Sequence, residues 1–358
     1  MSTAPAAPTL ACRDVFELFS AAFQRLCGEH PESVTELDFS LAGRHVRGRF
    51  LGAELGRMFR EAFEPYAGDS APELEVCLWD ESPDTGIDPR LRLECGLHED
   101  ALRASVVTGL SRSGRYVCNM AESWLNFLDL EGPRIVGCVL QRSRMHLHER
   151  ARPLEWPLRF WLRSIGLPVL HAGLVARDGA GVLIAGPAGA GKSTLSLACL
   201  DAGMDFLSDD KIGLEATGPG AFVGHRLYRS ILASVDVLEH FPHLAPNARR
   251  RETDELGKAI LMASDLFPER LAASSRIAAV VLPRLDRSAS APRLRPARRA
   301  EAMIRMLPNC LPLYPSWDRE DFARLGELLE GVPVYWLDVG GPPALLPPLV
   351  ESALRAAG

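Results

Sequence analysis

Residues 182–211 read VLIAGPAGAGKSTLSLACLDAGMDFLSDDK, and their order decides the reading of the whole chain. Val182 to Ala185 are apolar or small, the mark of a short buried strand. Gly186-Pro187-Ala188-Gly189-Ala190-Gly191-Lys192-Ser193 then fits the phosphate-loop pattern G-x-x-x-x-G-K-[ST], and Ser193 to Cys199 opens a helix. The glycines let the backbone curl so that its N–H groups face a polyphosphate, and the helix N-terminus adds a partial positive charge. Lys192 supplies a full charge to the β- and γ-phosphates, and the Ser193 hydroxyl is placed to ligate Mg²⁺. Strand, loop and helix fall in sequence, which separates this segment from an incidental glycine-rich turn. Gly203 to Asp210 follows as a strand centred on Phe206 and Leu207 that ends in two carboxylates, Asp209 and Asp210. Acidic residues at such a strand end bind Mg²⁺, orient water or accept a proton. The bland alternative is a pair of solvated turn aspartates. The spacing from the loop, with Lys211 next door, favours the site.

Working outward, the segment before the loop is Val169 to Ala176, expected as one strand, and the turn Arg177-Asp-Gly-Ala-Gly181 makes it a hairpin partner of the loop strand. That departs from the simplest parallel α/β pattern. Pro153 to Ile165, with Trp156, Leu158, Phe160 and Trp161, is expected as a helix buried against the following domain. After the aspartates, short strands run to Leu232. Arg226 and Arg229 flank Tyr228 and are equally readable as a phosphate clamp or as surface residues. Residues 241–257 form an expected loop, Lys258 to Met262 a strand that brings Lys258 towards the nucleotide, and Arg276 to Pro283 a further strand. Arg284 to Arg299 is an expected exposed basic loop. Helices near 299–307 and 318–330, a strand from Val332 to Leu337 and a helix from Pro343 to Ala357 complete the chain.

Towards the N-terminus, residues 1–10 are rich in Ala, Pro, Ser and Thr and expected to be disordered. Val15 to Leu26 carries helical spacing, Leu37 to Leu41 and His45 to Phe50 read as paired strands, and Ala53 to Phe63 as a helix. Leu74 to Trp79 reads as an alternating strand and Ser82 to Arg90 as a polar loop. Strands follow at Arg115 to Met120, Trp124 to Leu130 and Arg134 to Leu140. His146 and His148 have the spacing that puts two imidazoles on one face of a strand, and half-exposed strand histidines are favoured over a metal site. No catalytic constellation stands out here, so residues 1–150 are expected to be an α+β domain for substrate recognition or scaffolding. Residues 151–358, which hold the phosphate loop, are expected to form the catalytic domain.

The composition limits the function classes. The chain has 358 residues, 47% of them apolar, and a net charge of -6, which argues against a nucleic-acid binder. Of its 40 basic residues only Lys192, Lys211 and Lys258 are lysine, the other 37 being arginine. Against that background a lysine points to a place where lysine itself is needed. The eight cysteines are scattered, with no C-x-x-C and no disulfide or zinc framework. No signal peptide and no membrane-length apolar run is seen, so the expectation is a reduced, cytoplasmic protein without nucleic-acid or membrane partners.

His171-Ala-Gly-Leu-Val, the loop Gly186 to Ser193, and Ser208-Asp-Asp210 together resemble the catalytic domain of HPr kinase/phosphorylase. His171, Lys192 and Asp210 lie 21 and 18 residues apart, the register of that family. The resemblance covers roughly residues 153–283. It implies an α/β, mixed α+β overall, P-loop kinase fold of the HPr kinase/phosphoenolpyruvate carboxykinase type with a separate N-terminal α+β domain. It implies ATP and Mg²⁺ as cofactors, and a loop from Gly186 to Ser193, with Thr194 beside it, as their holder. Asp210 would be the base for a substrate hydroxyl, Asp209 would help position metal or water with Ser193, and His171 would sit beside the transferred phosphoryl. The chain departs from the family at Thr194, where a Glu is usual, and in lacking the Glu-containing Arg-Gly-Leu-Gly motif. Those departures weaken the expectation of a second metal ligand, of phosphorolysis and of HPr as acceptor. They point instead to divergent kinases that phosphorylate a serine on a peptide. The leading expectation is an ATP-dependent kinase for a serine-type hydroxyl of a protein or peptide, in a family whose enzymes form homo-oligomers. A small-molecule hydroxyl kinase and a non-catalytic nucleotide-binding regulator stand as alternatives.

Overall fold

The computed structural model describes residues 12–81, 107–110, 114–121, 123–248, 257–286, 288–310 and 319–357. The expectations for residues 1–10 and 82–90, and part of that for 241–257, lie outside the described residues. The chain forms two compact units of mixed α/β structure, Met1–Ser40 with Arg44–Ser164, and Leu41–Gly43 with Ile165–Gly358.

The first unit carries strands β1 (Val34–Leu41), β2 (Arg44–Leu51), β3 (Glu64–Pro65), β4 (Leu74–Asp80), β5 (Val107–Leu110), β6 (Tyr116–Met120), β7 (Trp124–Asp129) and β8 (Arg134–Val139). They form one sheet in the order β3-β1-β2-β4-β8-β7-β6-β5, in which β2, β4 and β8 run parallel. Helices α1 (Cys12–Glu29), α2 (Ala53–Ala62), α3 (Leu147–Ala151) and α4 (Glu155–Ser164) cover it. Helix α1 forms because phenylalanines recur at helical spacing; the Phe19 ring lies 5.4 Å from Trp79 and 4.8 Å from Phe127. Helix α2 places Phe59 against Phe39 and Phe50, and α4 packs on β6 and β7.

Two local expectations change. Leu74 to Trp79 does not alternate: Val76, Cys77, Leu78 and Trp79 are all buried, because β4 lies between two parallel neighbours in the middle of the sheet. His146 and His148 do not share a strand. The His146 N–H donates to Glu149 Oε2 at 2.8 Å, Ser123 Oγ holds the same carboxylate, and this cap starts the short helix α3.

The second unit is built on β9 (Val169–Leu170), β10 (Ala172–Arg177), β11 (Ala180–Ala185), β12 (Asp205–Ser208), β13 (Ile212–Gly218), β14 (Ala221–Arg226), β15 (Ser230–Ser234), β16 (Lys258–Met262), β17 (Ser274–Leu285), β18 (Arg293–Pro296) and β19 (Val334–Val339). Its helices are α5 (Lys192–Asp201), α6 (Val235–Glu239), α7 (Ala263–Leu266), α8 (Arg299–Cys310), α9 (Arg319–Gly331) and α10 (Pro347–Arg355). The main sheet runs β12-β10-β11-β17-β14-β13-β9, with β19 on β17 and β18 on β19, while β15 and β16 pair separately. Strand β9 is separated from β10 by His171 alone, so the path β10-β11-β17-β14-β13-β9 curls back to its start. Leu174 fills the inside of the curl: a Cβ on Gly224 or Gly181 would lie 2.4 Å or 2.9 Å from its methyls. Strand β11 is apolar throughout because both faces are covered. Val182 and Ile184 pack with α5, α10 and the β15–β16 ribbon, while Leu183 and Ala185 pack with α8 and α9.

The expected strand Val169–Ala176 is therefore two strands with different partners, β9 on β13 and β10 between β11 and β12. The expected basic loop Arg284–Arg299 contains strand β18, paired antiparallel to β19. Arg284 and Arg295 both bind Asp338, at 2.7 and 3.1 Å, and lie with Arg305 around the Trp336 ring, so these arginines are tied into the sheet. Arg226, at the end of β14, is buried.

Candidate active site

The Asp178-Gly179 turn, with both residues at positive φ (52° and 76°), closes the β10–β11 hairpin and sets its register. Ala172 thereby opposes Ala185, and the loop that follows β11 begins beside His171. Gly189 and Gly191 adopt φ of 76° and 98°, and Gly191 caps α5, so the loop turns its backbone onto the helix start without a side chain in the way. The same end of the sheet holds the C-termini of β17 and β19: Gly186 faces the Pro283 carbonyl and Gly191 faces Val339. Crevices beyond the carboxyl ends of parallel strands are where open α/β sheets bind ligands.

The two carboxylates arrive by a second device. Strand β12 pairs with β10 up to Leu174↔Ser208, and β13 pairs with β9 from Leu170↔Ile212. The pairing between these two segments lapses between those points, leaving His171–Gly173 on one side facing Asp209–Lys211 on the other. His171 Nε2 binds Asp210 Oδ1 directly, and Lys211 Nζ binds Asp210 Oδ2 at 2.5 Å. Ser208 Oγ accepts the Asp210 and Lys211 N–H groups at 3.0 and 2.8 Å and so shapes the turn that presents them. Gly173 has to be glycine: a Cβ there would meet Ser196 Oγ at 2.9 Å and the Ser208 and Asp209 carbonyls at 3.2 and 3.4 Å.

Asp209 is 2% exposed, and its Oδ2 accepts the Leu232 N–H of β15 at 3.2 Å, so this carboxylate also ties the ribbon to the sheet end. Lys192 is buried, with Nζ donating to the Gly186 and Pro187 carbonyls at 2.7 and 3.2 Å. Burial pushes the Lys192 ammonium below its ordinary value, Asp210 opposes that, and Lys211 and Lys258 add to it. The other two lysines of the chain thus both act on Lys192, Lys258 from the exposed start of β16. Burial also lowers His171, more than Asp210 raises it, with Lys211 and Lys192 pushing the same way as burial. The imidazole is accordingly neutral near pH 7, its Nε2–H donating to Asp210.

Ser193 and Thr194 are half-buried in the first turn of α5. Among the described residues no three His, Cys, Asp or Glu side chains converge as a metal cage. The oxygen donors that are present, the Ser193 hydroxyl and the Asp209 and Asp210 carboxylates, are of the kind Mg²⁺ takes together with substrate phosphates. An uncharged hydroxyl beside a lysine-bearing anion cradle fits Mg²⁺ delivered on a nucleotide.

His171, Lys192, Asp209 and Asp210, chosen from sequence, thus gather at one sheet end. The parts that escaped the sequence are Ser208, which shapes the turn, the Leu232 tie, the close approach at Gly173 and the grip of Lys211 on Asp210. The Ser-Asp-Asp order signals the first; nothing local signals the Leu232 tie. Arg226 lies at the neighbouring end of β14, opposite Ile212. His146 and His148 belong to the first unit, their rings stacked 5.5 Å apart.

No protein-family model matches the chain, and no curated protein matches it. Among solved structures, the chain is similar to the Hpr(Ser) kinase/phosphatase from Coxiella burnetii at 19% identity, covering 52% of this chain and 88% of that one. The TM-score of 0.29 is too low for the likeness to bear on function.

Proposed function

We propose that this chain is an ATP- and Mg²⁺-dependent kinase that transfers the γ-phosphate to a serine-type hydroxyl of a protein or peptide. The observation that carries the reading is the His171–Asp210 pair set beside the Gly186–Ser193 loop: an oriented carboxylate next to a phosphate cradle. Phosphoryl transfer asks a protein mainly for positioning and charge neutralisation, and these residues supply both.

In this reading the loop N–H groups and Lys192 hold the β- and γ-phosphates, Lys192 leaving its own loop carbonyls to do so. Ser193 and Asp209 hold and orient Mg²⁺, with Thr194 beside them. Bound Mg²⁺ supplies Lewis-acid neutralisation of the phosphate oxygens. Asp210 takes the proton of the acceptor hydroxyl as the new oxygen–phosphorus bond forms and the bond to the leaving ADP oxygen breaks. The products are the phosphoester, ADP and a proton. His171 fixes the carboxylate by its hydrogen bond and lines the path of the transferred group.

Selection of the acceptor falls to the N-terminal part of the chain, expected as residues 1–150 beside a catalytic part of 151–358. A homo-oligomer and a cytoplasmic location belong to the same reading. Among the described residues no helix is long and apolar enough to cross a membrane, and Cys27, Cys77, Cys118, Cys138 and Cys199 are free thiols.

The test is transfer from γ-labelled ATP in a lysate of the source organism, with wild type and Asp210→Asn side by side. A labelled protein or peptide with wild type alone is expected. Absence of label in both lanes while ATP still binds would overturn the reading in favour of a nucleotide sensor or a small-molecule kinase.

A further inference from the structure

The Asp210 carboxylate already has a partner on each oxygen, a neutral imidazole on one and an ammonium on the other. His171 takes Oδ1, and Lys211 takes Oδ2 with its ammonium at 2.5 Å. The Lys211 side chain is 7% exposed, so its head does not reach out to bulk water as a surface lysine does. Its backbone is held as well, through the Lys211 N–H to Ser208 Oγ at 2.8 Å. The other carboxylate of the pair, Asp209, is turned to the Leu232 N–H at 3.2 Å. Composition adds an independent point. In a chain that uses arginine 37 times and lysine three times, position 211 is one of the three. A guanidinium is a planar fork, whereas an ammonium is a compact point charge that fits where a small ion would stand.

We propose that Lys211 is a tethered cation at Asp210, standing where a second divalent ion would otherwise bind, so that the site takes one divalent ion per bound nucleotide. The inference rests on the kinase reading above. Two-metal phosphoryl-transfer sites use a pair of ions to neutralise the attacking and leaving oxygens. Here one of those charges is covalently part of the chain. It positions Asp210 before nucleotide arrives and needs no metal to do so. Lys211 is therefore a positioning residue, acting through Asp210.

The experiment counts Mn²⁺ by electron paramagnetic resonance on the full chain saturated with a non-hydrolysable ATP analogue. Wild type is expected to bind about one Mn²⁺ per chain, and Lys211→Ala about two, the second ion filling the vacated place at Asp210. Lys211→Arg keeps a cation at that position and is expected to stay at about one. Two ions in wild type, or an unchanged count in a folded Lys211→Ala, would overturn the proposal while leaving the kinase reading standing. If Lys211→Ala does not fold, the wild-type count still decides, since two ions there contradict a tethered charge. Failure of wild type to bind the analogue at all would instead sink the kinase reading.

Discussion

Replacing Gly173 by alanine tests the account of how the sheet end is assembled, independently of any activity. An added Cβ would lie 2.9 Å from Ser196 Oγ, 3.2 Å from the Ser208 carbonyl and 3.4 Å from the Asp209 carbonyl. The first neighbour is a side chain on α5; the others are backbone of the segment that carries Asp209 and Asp210. Normal contact requires α5 to give by about half an ångström, or the β12 end by a few tenths, and overpacking of that size costs about 1–3 kcal/mol. Ser196 Oγ is fully buried and has no hydrogen-bond partner among the described residues. Its removal therefore loses no bond, and Ser196→Ala alone is expected within about 0.5 kcal/mol of wild type or slightly stabilised. Because the hydroxyl is the nearest obstacle, Gly173→Ala with Ser196→Ala should recover part of the loss, a coupling of about 0.5–1 kcal/mol. Chemical denaturation of the four proteins measures all of these values. An unchanged stability in Gly173→Ala, or strictly additive effects in the double variant, would show that β10 and α5 do not meet as described.

Four further outcomes are expected. Asp210→Asn should lower phosphate transfer about 10²–10⁴-fold, the usual worth of a positioned base, while nucleotide affinity measured by calorimetry holds or improves, since a negative charge near the phosphates is gone. Lys192→Ala should instead weaken nucleotide binding, and loss of binding in Asp210→Asn but not in Lys192→Ala would reverse the assignments. His171 is lowered from 6.5 by burial, so the unfolded chain binds the proton first as pH falls. Stability then rises with pH between the lowered value and 6.5 and is flat above, and wild type should lose more than His171→Gln on going from about pH 7.5 to about pH 5.5. Equal losses in a melting series would contradict it. Burial pushes the Cys77 thiol up to about 12, with Arg134 opposing slightly. Mass spectrometry after iodoacetamide treatment at about pH 8 should find Cys77 unmodified in the native protein and modified in urea, because the thiolate is the reacting form.

Much of the second unit is legible in the sequence because its signals are local. The phosphate loop carries its own glycines, the Asp-Gly turn marks the hairpin, and uninterrupted apolar runs mark β11 and β17. The misread elements share one physical feature, in that their state depends on residues far along the chain. Nothing between Val169 and Ala176 says that the strand must break at His171; the break follows from β9 and β10 having different partners. Arg293 to Pro296 looks like a loop by composition, but pairing with β19 and the Asp338 carboxylate make it a strand. His146 and His148 carry a strand-like spacing, and a cap supplied by Glu149, itself held by Ser123, overrides it. The hold of Lys211 on Asp210 joins residues adjacent in sequence, yet no rule of spacing distinguishes it from two solvated charges.

The spacings that suggested the site acquire a physical meaning from the sheet. His171 and Lys192 are far apart in sequence and near in space because a two-residue turn returns β11 alongside β10, so Ala172 and Ala185 end level and the loop must start next to His171. Asp210 joins them because α5 delivers the chain to the other edge of β10, antiparallel, so that β12 ends where β10 begins. The distance from His171 to Asp210 is thus set by strand register, and the number of residues in turn or helix matters only through that register. A change of one residue inside β10 or β11 would exchange the two sheet faces and carry Leu174 out of the core it fills. The 21- and 18-residue intervals are therefore the consequence of two strands of equal length, a tight turn and a helix of fixed rise. A triad of spacings is informative for this reason, since each interval must satisfy the same sheet.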